Sequence, residues 1–239
     1  FIFSIPGFIL VKEKSVADGK IRSQVITNYF AQLRNTLTKA RQVEGIPRFL
    51  IGRIFYTDAI NTLIIFMGIY VTNELELPDK TLQQILTISI MAAILAAPMW
   101  GYIVDLLGPK KALNIVLYMW MSVLLCVAAI PIANLPTFLI WIIAPLSGIA
   151  MGGVWCADRP YLIRLAPEDS IGEFFGLYSL VGRFASIVGP LLWVFVSQVL
   201  GLGRPVAILS LLAMIVTAYV ILRGVNDQPM ALRTTPKAG

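Results

Sequence analysis

101-GYIVDLLGPKKAL-113 sets an aspartate and two lysines within a few residues, with glycines at positions 101 and 108 on either side of the aspartate. In both directions the flanking sequence is apolar and nearly uncharged for more than fifteen residues. Charges confined to a short gap between long apolar runs mark a turn between two membrane-crossing helices. Gly108 opens backbone angles closed to other residues, and Lys110 and Lys111 hold the turn at the membrane surface. Asp105 is the odd member, because a carboxylate near a helix C-terminus is repelled by the helix dipole. It requires a basic partner or the N-terminus of another helix. Gly101, one turn earlier on the same face, lets such a neighbour come close.

Composition agrees with lipid as the solvent. An ordinary soluble domain is about 45–50% apolar and about 25% charged. This chain of 239 residues is 58% hydrophobic and 13% charged, with a mean hydropathy of +0.81. The expected class is an all-α integral membrane protein. With no histidine present, Ser-His and Cys-His catalysis and histidine metal sites are excluded. Cys126 and Cys156 sit in or beside apolar runs without metal-ligand spacing, and there is no phosphate-binding glycine loop. No catalytic residue, metal or cofactor is expected, and the chain reads as non-enzymatic.

A helix needs about 20 apolar residues to cross a bilayer. That length places six spans at 50–72, 82–105, 113–133, 136–156, 174–199 and 205–222. Thr81 with Gln84, and Ser170 with Glu173, have the spacing of capping boxes at two of the starts. Asn134 before Pro136 reads as an N-cap followed by an early proline.

Orientation follows from the basic residues. Of the nineteen Lys and Arg, fifteen lie in 12–48, the 101–113 gap, the 157–168 link and the C-terminal tail, whereas the alternate connections hold Lys80 and Arg204. The segment 12–48 and the tail are therefore expected on the cytoplasmic face, and the net charge of +6 needs no nucleic-acid partner. Within 12–48, Ile21, Val25, Phe30, Leu33 and Leu37 recur at near-helical spacing. Both a helix lying in the membrane interface and a linker packed on the bundle fit that pattern. The opening residues, FIFSIPGFILV, are too short to span and read as the end of a preceding helix.

Gly-x-x-x-Asp-x-x-Gly-x-Lys-Lys between two spans resembles the cytoplasmic loop motif of the major facilitator superfamily. The stretches RIFYTDAINTLIIFMGIY, GGVWCADRPYLIRLAP and GEFFGLYSLVGRFASIVGPLLW resemble, more closely, the subfamily of the autophagy-related vacuolar amino-acid effluxers and their bacterial relatives. The resemblance implies a six-transmembrane-helix half of a major facilitator fold. Its parts would be the end of a helix (1–11), a cytoplasmic linker (12–48), the six-helix C-terminal half (49–223) and a cytoplasmic tail (224–239). It also implies that the loop charges at Asp105, Lys110 and Lys111 brace this half against a missing N-terminal six-helix half. One departure is Asp158-Arg159-Pro160, where members often carry Ser-Arg-Ser.

Ionised side chains within a span cost about 2.5–3.5 kcal/mol on insertion scales and mark function by default. Asp58 in the first span and Arg183 in the fifth are expected at similar depths, roughly 12 and 13 Å in from one face. Arg53, nearer the surface, is expected to snorkel out. Asp58, Asn61 and Thr62 share a face, as do Ser179, Arg183 and Ser186, so both stripes should line a cavity or helix contact. Asp58 is the one carboxylate expected deep in a span, and Asp58 and Arg183 are expected within ion-pair reach in at least one state. Gly148, Gly152 and Gly153 form a small-residue packing face, and Gly189-Pro190 should bend the fifth span. The function expected is a secondary active transporter of small polar solutes, with amino acids implied by the resemblance. Its partners are the bilayer and the solute, and a cell membrane is favoured over a vacuolar one. The competing reading is a non-transporting scaffold whose buried charges are structural.

Overall fold

The computed structural model describes residue 34 and residues 36–225, so the opening helix end, most of the 12–48 pattern and the tail beyond 225 lie outside the described residues. Among the described residues, six helical segments are long and apolar enough to cross a membrane: Ile46–Asn73, Asp79–Leu107, Pro109–Ile132, Thr137–Leu165, Glu168–Val199 and Arg204–Arg223. We refer to them as spans one to six. Among the described residues there are no strands. The second span packs along the fourth and the first along the sixth, and the third lies against both the fourth and the sixth. Buried Trp100, Leu117, Leu124, Tyr70, Leu211 and Ile215 fill the centre.

Lipid offers backbone and side-chain polar groups no hydrogen bonds, so each must be met within the protein. Tyr70 donates its hydroxyl to the Val127 carbonyl at 2.8 Å, and Trp100 Nε1 donates to the Ile149 carbonyl at 2.8 Å. The Ser89 hydroxyl reaches the Ala144 carbonyl at 2.9 Å. That last bond requires the second and fourth helices to lie close. Gly148 and Gly152 permit it, because a Cβ on either would run into the backbone of Ser89 or Ala93. Gly153 makes room for Trp100 and Val116 in the same way.

Several helix ends differ from the expected ones. The second span starts at Asp79 with Pro78 as its N-cap, which leaves Thr81 inside the helix and the Thr81–Gln84 box unformed. Ser170 does cap the fifth span, but its side chain makes no cap bond, and Glu173 turns away to Lys39. Asn134 ends the third span instead of starting the fourth. Its φ of +49° is left-handed, and the Leu135 N–H closes back on the Ile130 carbonyl at 2.8 Å, as in a Schellman stop. The fourth helix continues to Leu165, nine residues past its expected end, carrying Asp158, Arg159 and Pro160 within it. Gly108 joins spans two and three in one residue, with φ at +85°.

The fifth span is broken. Helix Ile171–Phe184 stops, residues 185–187 turn, and a second helix runs Val188–Val194 before a π-helical stretch Phe195–Val199. Sequence placed the bend at Gly189-Pro190, and the observed gap precedes that pair. Pro190 has no N–H to give the Ser186 carbonyl, so the interruption falls in the turn before the proline.

A polar bracket at the helix break and a buried ion pair below it

At the break the Gly189 N–H and the Ala185 carbonyl no longer pair with each other. Both orphaned groups are met by side chains of the first span. Asp58 Oδ2 accepts the Gly189 N–H at 2.8 Å, and Asn61 Nδ2 donates to the Ala185 carbonyl at 3.2 Å. Asn61 also donates to the Ser186 hydroxyl at 3.0 Å. Asp58 and Asn61 are three residues apart, which is what sets both on one helix face pointing at the same gap. A carboxylate at the start of a helix also meets the favourable end of its dipole. Asp58 is fully buried, twelve residues into the first span, or about 18 Å along its axis.

Thr62, also fully buried, completes this corner. Its hydroxyl and Asp58 Oδ1 both flank Gly189, close enough for the hydroxyl to interact with the carboxylate. A side chain at position 189 would collide with both, so the close approach demands glycine. The structure thus joins Asp58, Asn61, Thr62, Ser186, Gly189 and Pro190 in one place.

Arg183 stands apart from it. Arg183 and Ser179 lie on the exposed face of the fifth span, and Arg183 forms no ion pair with Asp58. The anticipated pairing fails for a geometric reason. It extended the Ser179–Arg183 face through Ser186 as though the helix were continuous, whereas the helix ends at Phe184 and Ser186, itself exposed, accepts a hydrogen bond from Asn61.

The buried ion pair is a different one. Arg53 does not snorkel: it is 8% exposed, and its Nε donates to Asp158 Oδ2 at 2.9 Å. Asp158 also accepts the Tyr178 hydroxyl at 2.7 Å and the Tyr56 hydroxyl. Arg53 Nη1 donates to the Tyr178 carbonyl at 3.1 Å, with the guanidinium 3.6 Å from the centre of the Tyr178 ring. One charge pair thereby ties spans one, four and five. Asp158 is a second deep carboxylate, which the sequence reading assigned to a loop. The uninterrupted apolar run Tyr161-Leu162-Ile163 after it was the available sign that the helix goes on.

The loop motif is laid out at one end of the bundle. Lys110 Nζ donates to the carbonyls of Arg223 and Val225, closing the end of the sixth span, while Arg48 Nη1 reaches the Gly224 carbonyl at 2.6 Å. Asp105 and Lys111 are exposed, and the space beside Gly101 is open. Asp105 lines a groove of about 490 Å3 between the ends of spans two and four, with Arg164 on its other wall. An apolar cavity of about 300 Å3 between the first four spans, lined in part by Ser89, Trp120 and Ser147, contains no ionisable group. Among the described residues the buried charges, Arg53, Asp58 and Asp158, are all at the break or the Arg53 node.

Residues 1–230 match the family described as "Vacuole effluxer Atg22 like". The chain is 30% identical, over 95% of its length, to an uncharacterized MFS-type transporter, YxiO, of Bacillus subtilis, covering 51% of that protein. It is 27% identical to autophagy-related protein 22 of Kluyveromyces lactis over 67% of this chain and 34% of that protein. Against autophagy-related protein 22-1 of Penicillium rubens the figures are 24%, 80% and 35%. The chain spans about half the length, or less, of these relatives. With its six spans and all-α build, the chain belongs to the Atg22-like vacuole effluxer family.

Proposed function

We propose that this chain is one six-helix half of a secondary active transporter that moves small polar solutes, amino acids among them, by alternating access. The observation that carries the reading is the broken fifth span, bridged by Asp58 and Asn61 from the first. Discontinuous helices of this kind form substrate and coupling sites near the middle of the bilayer. The exposed Arg183 supports it: a cation that deep is not stable against lipid, so its face belongs to a water-filled path or to the other half of the protein. The second and fifth spans, whose outer faces are the least covered within this bundle, are where that other half docks. Asp58, which has no cationic partner among the described residues, is the group available to carry a proton. The preponderance of basic residues supports a cytoplasmic position for 12–48 and the tail, and a cell membrane is favoured over a vacuolar one. The scaffold reading draws on the Arg53–Asp158 node, which is engaged entirely within the bundle.

The test is uptake of labelled amino acids into proteoliposomes by the full-length protein. Transport that disappears in Arg183→Gln, with the protein still folded, is the expected result. Failure to move any small polar solute, or transport untouched by both Arg183→Gln and Asp58→Asn, would favour the scaffold.

A further inference from the structure

On the seam between the third and sixth spans, two tyrosines face outward. Tyr118 is 50% exposed, and its hydroxyl is bonded to that of Tyr219, with ring centroids 4.9 Å apart. The third and sixth spans are the most apolar of the six, as expected of helices turned to lipid. Two hydroxyls bonded to each other use one O–H and leave the second as a donor with no acceptor among the described residues. In hydrocarbon that is costly.

One helical turn from Tyr219 toward the charged end of the bundle stands Arg223, exposed and close enough to act electrostatically on Tyr118. Lys111 is exposed two turns before Tyr118 on the third span. Lys110 sets the two helix ends side by side by donating to the Arg223 carbonyl at 3.3 Å. Neither span contains an aspartate or glutamate to neutralise Lys111 or Arg223. The seam thus offers two cations at the membrane surface and a hydroxyl donor about 6 Å deeper than Arg223 and about 10 Å deeper than Lys111.

We infer that this seam binds an anionic phospholipid. Its phosphate lies on Lys111 and Arg223, and a glycerol ester carbonyl, one turn deeper, accepts the unmet tyrosine O–H. A free phosphate would satisfy the cations but leave the hydroxyl unmet, and a zwitterionic headgroup brings its own cation to an already basic site. Basic residues at a membrane surface attract anionic lipid by about 1 kcal/mol each.

Native mass spectrometry of the full-length protein in non-ionic detergent tests this, with phosphatidylglycerol, phosphatidylcholine and inorganic phosphate as probes. Retention of phosphatidylglycerol over phosphatidylcholine is expected. It should fall about tenfold or more in Lys111→Gln/Arg223→Gln, survive in Arg223→Lys, and fall severalfold in Tyr118→Phe/Tyr219→Phe, which keeps both rings. Lys111→Gln alone, a surface change, should give an intermediate loss. Equal retention of the two lipids, or no change in these variants, would reduce the pair to ordinary interfacial tyrosines and overturn the inference. Displacement of phosphatidylglycerol by equimolar inorganic phosphate would overturn it too, as a simple anion site.

Discussion

Asp58 Oδ2 accepts the Gly189 N–H at 2.8 Å, so a side chain of the first span stands in for a backbone carbonyl that the fifth span has lost. Asn61, one turn on, supplies the complementary donor to the Ala185 carbonyl. The two helices are therefore one hydrogen-bonded unit at the break. A change in either side chain alters the geometry of the other helix.

Gly189→Ala is expected to be destabilising by about 1–3 kcal/mol, the usual range for forcing a methyl into a filled site. The added Cβ meets the Thr62 hydroxyl and Asp58. Thr62→Ala removes one obstacle, so in combination it should restore part of the loss, while alone it should cost about 1 kcal/mol through the hydroxyl's lost interaction with Asp58. Thermal unfolding of the detergent-purified protein measures all three.

At the second node, Arg53→Met or Asp158→Leu leaves the opposite charge buried without its countercharge. Each single substitution should cost about 3–5 kcal/mol, and the double substitution less than their sum. Chemical denaturation in a double-mutant cycle gives the coupling, and strict additivity would contradict the node. Tyr178→Phe, which removes one donor to Asp158 but keeps the ring over Arg53, should cost about 1–3 kcal/mol.

The same cycle applied to Asp58→Asn and Arg183→Gln should return a coupling below about 0.5 kcal/mol, since the two side chains do not meet. Arg183→Gln alone should leave stability within about 0.5 kcal/mol, as for an exposed position. A large coupling would mean that the pair forms in another conformation.

The six spans were legible because crossing lipid imposes a length and an apolar content that few other structures share. Polar stripes were legible too: Asp58, Asn61 and Thr62 do act as one face. The partner of that face was not, because a single turn at 185–187 redirects Ser186, and helical periodicity carries no sign of where it will be interrupted. Arg53–Asp158 was missed for a related reason. A charged Asp-Arg-Pro sequence reads as a helix end, yet Asp158 stays in the helix because Arg53, Tyr56 and Tyr178 converge on it from two other spans. Such convergence is tertiary, and spacing along one helix does not reveal it. Asn134 illustrates the same ambiguity on a smaller scale, since asparagine serves helix starts and left-handed helix stops alike.

The most direct test of the bracket is hydrogen–deuterium exchange of the peptide covering residues 185–192 in the full-length protein. A hydrogen bond to a charged acceptor is worth about 1.5–3 kcal/mol, so Asp58→Ala should speed exchange at Gly189 by about tenfold or more. Asp58→Asn, which retains an acceptor oxygen, should fall between it and the wild type, with the third and sixth spans unchanged in both. Exchange at Gly189 that is the same in Asp58→Ala as in the wild type would contradict the account.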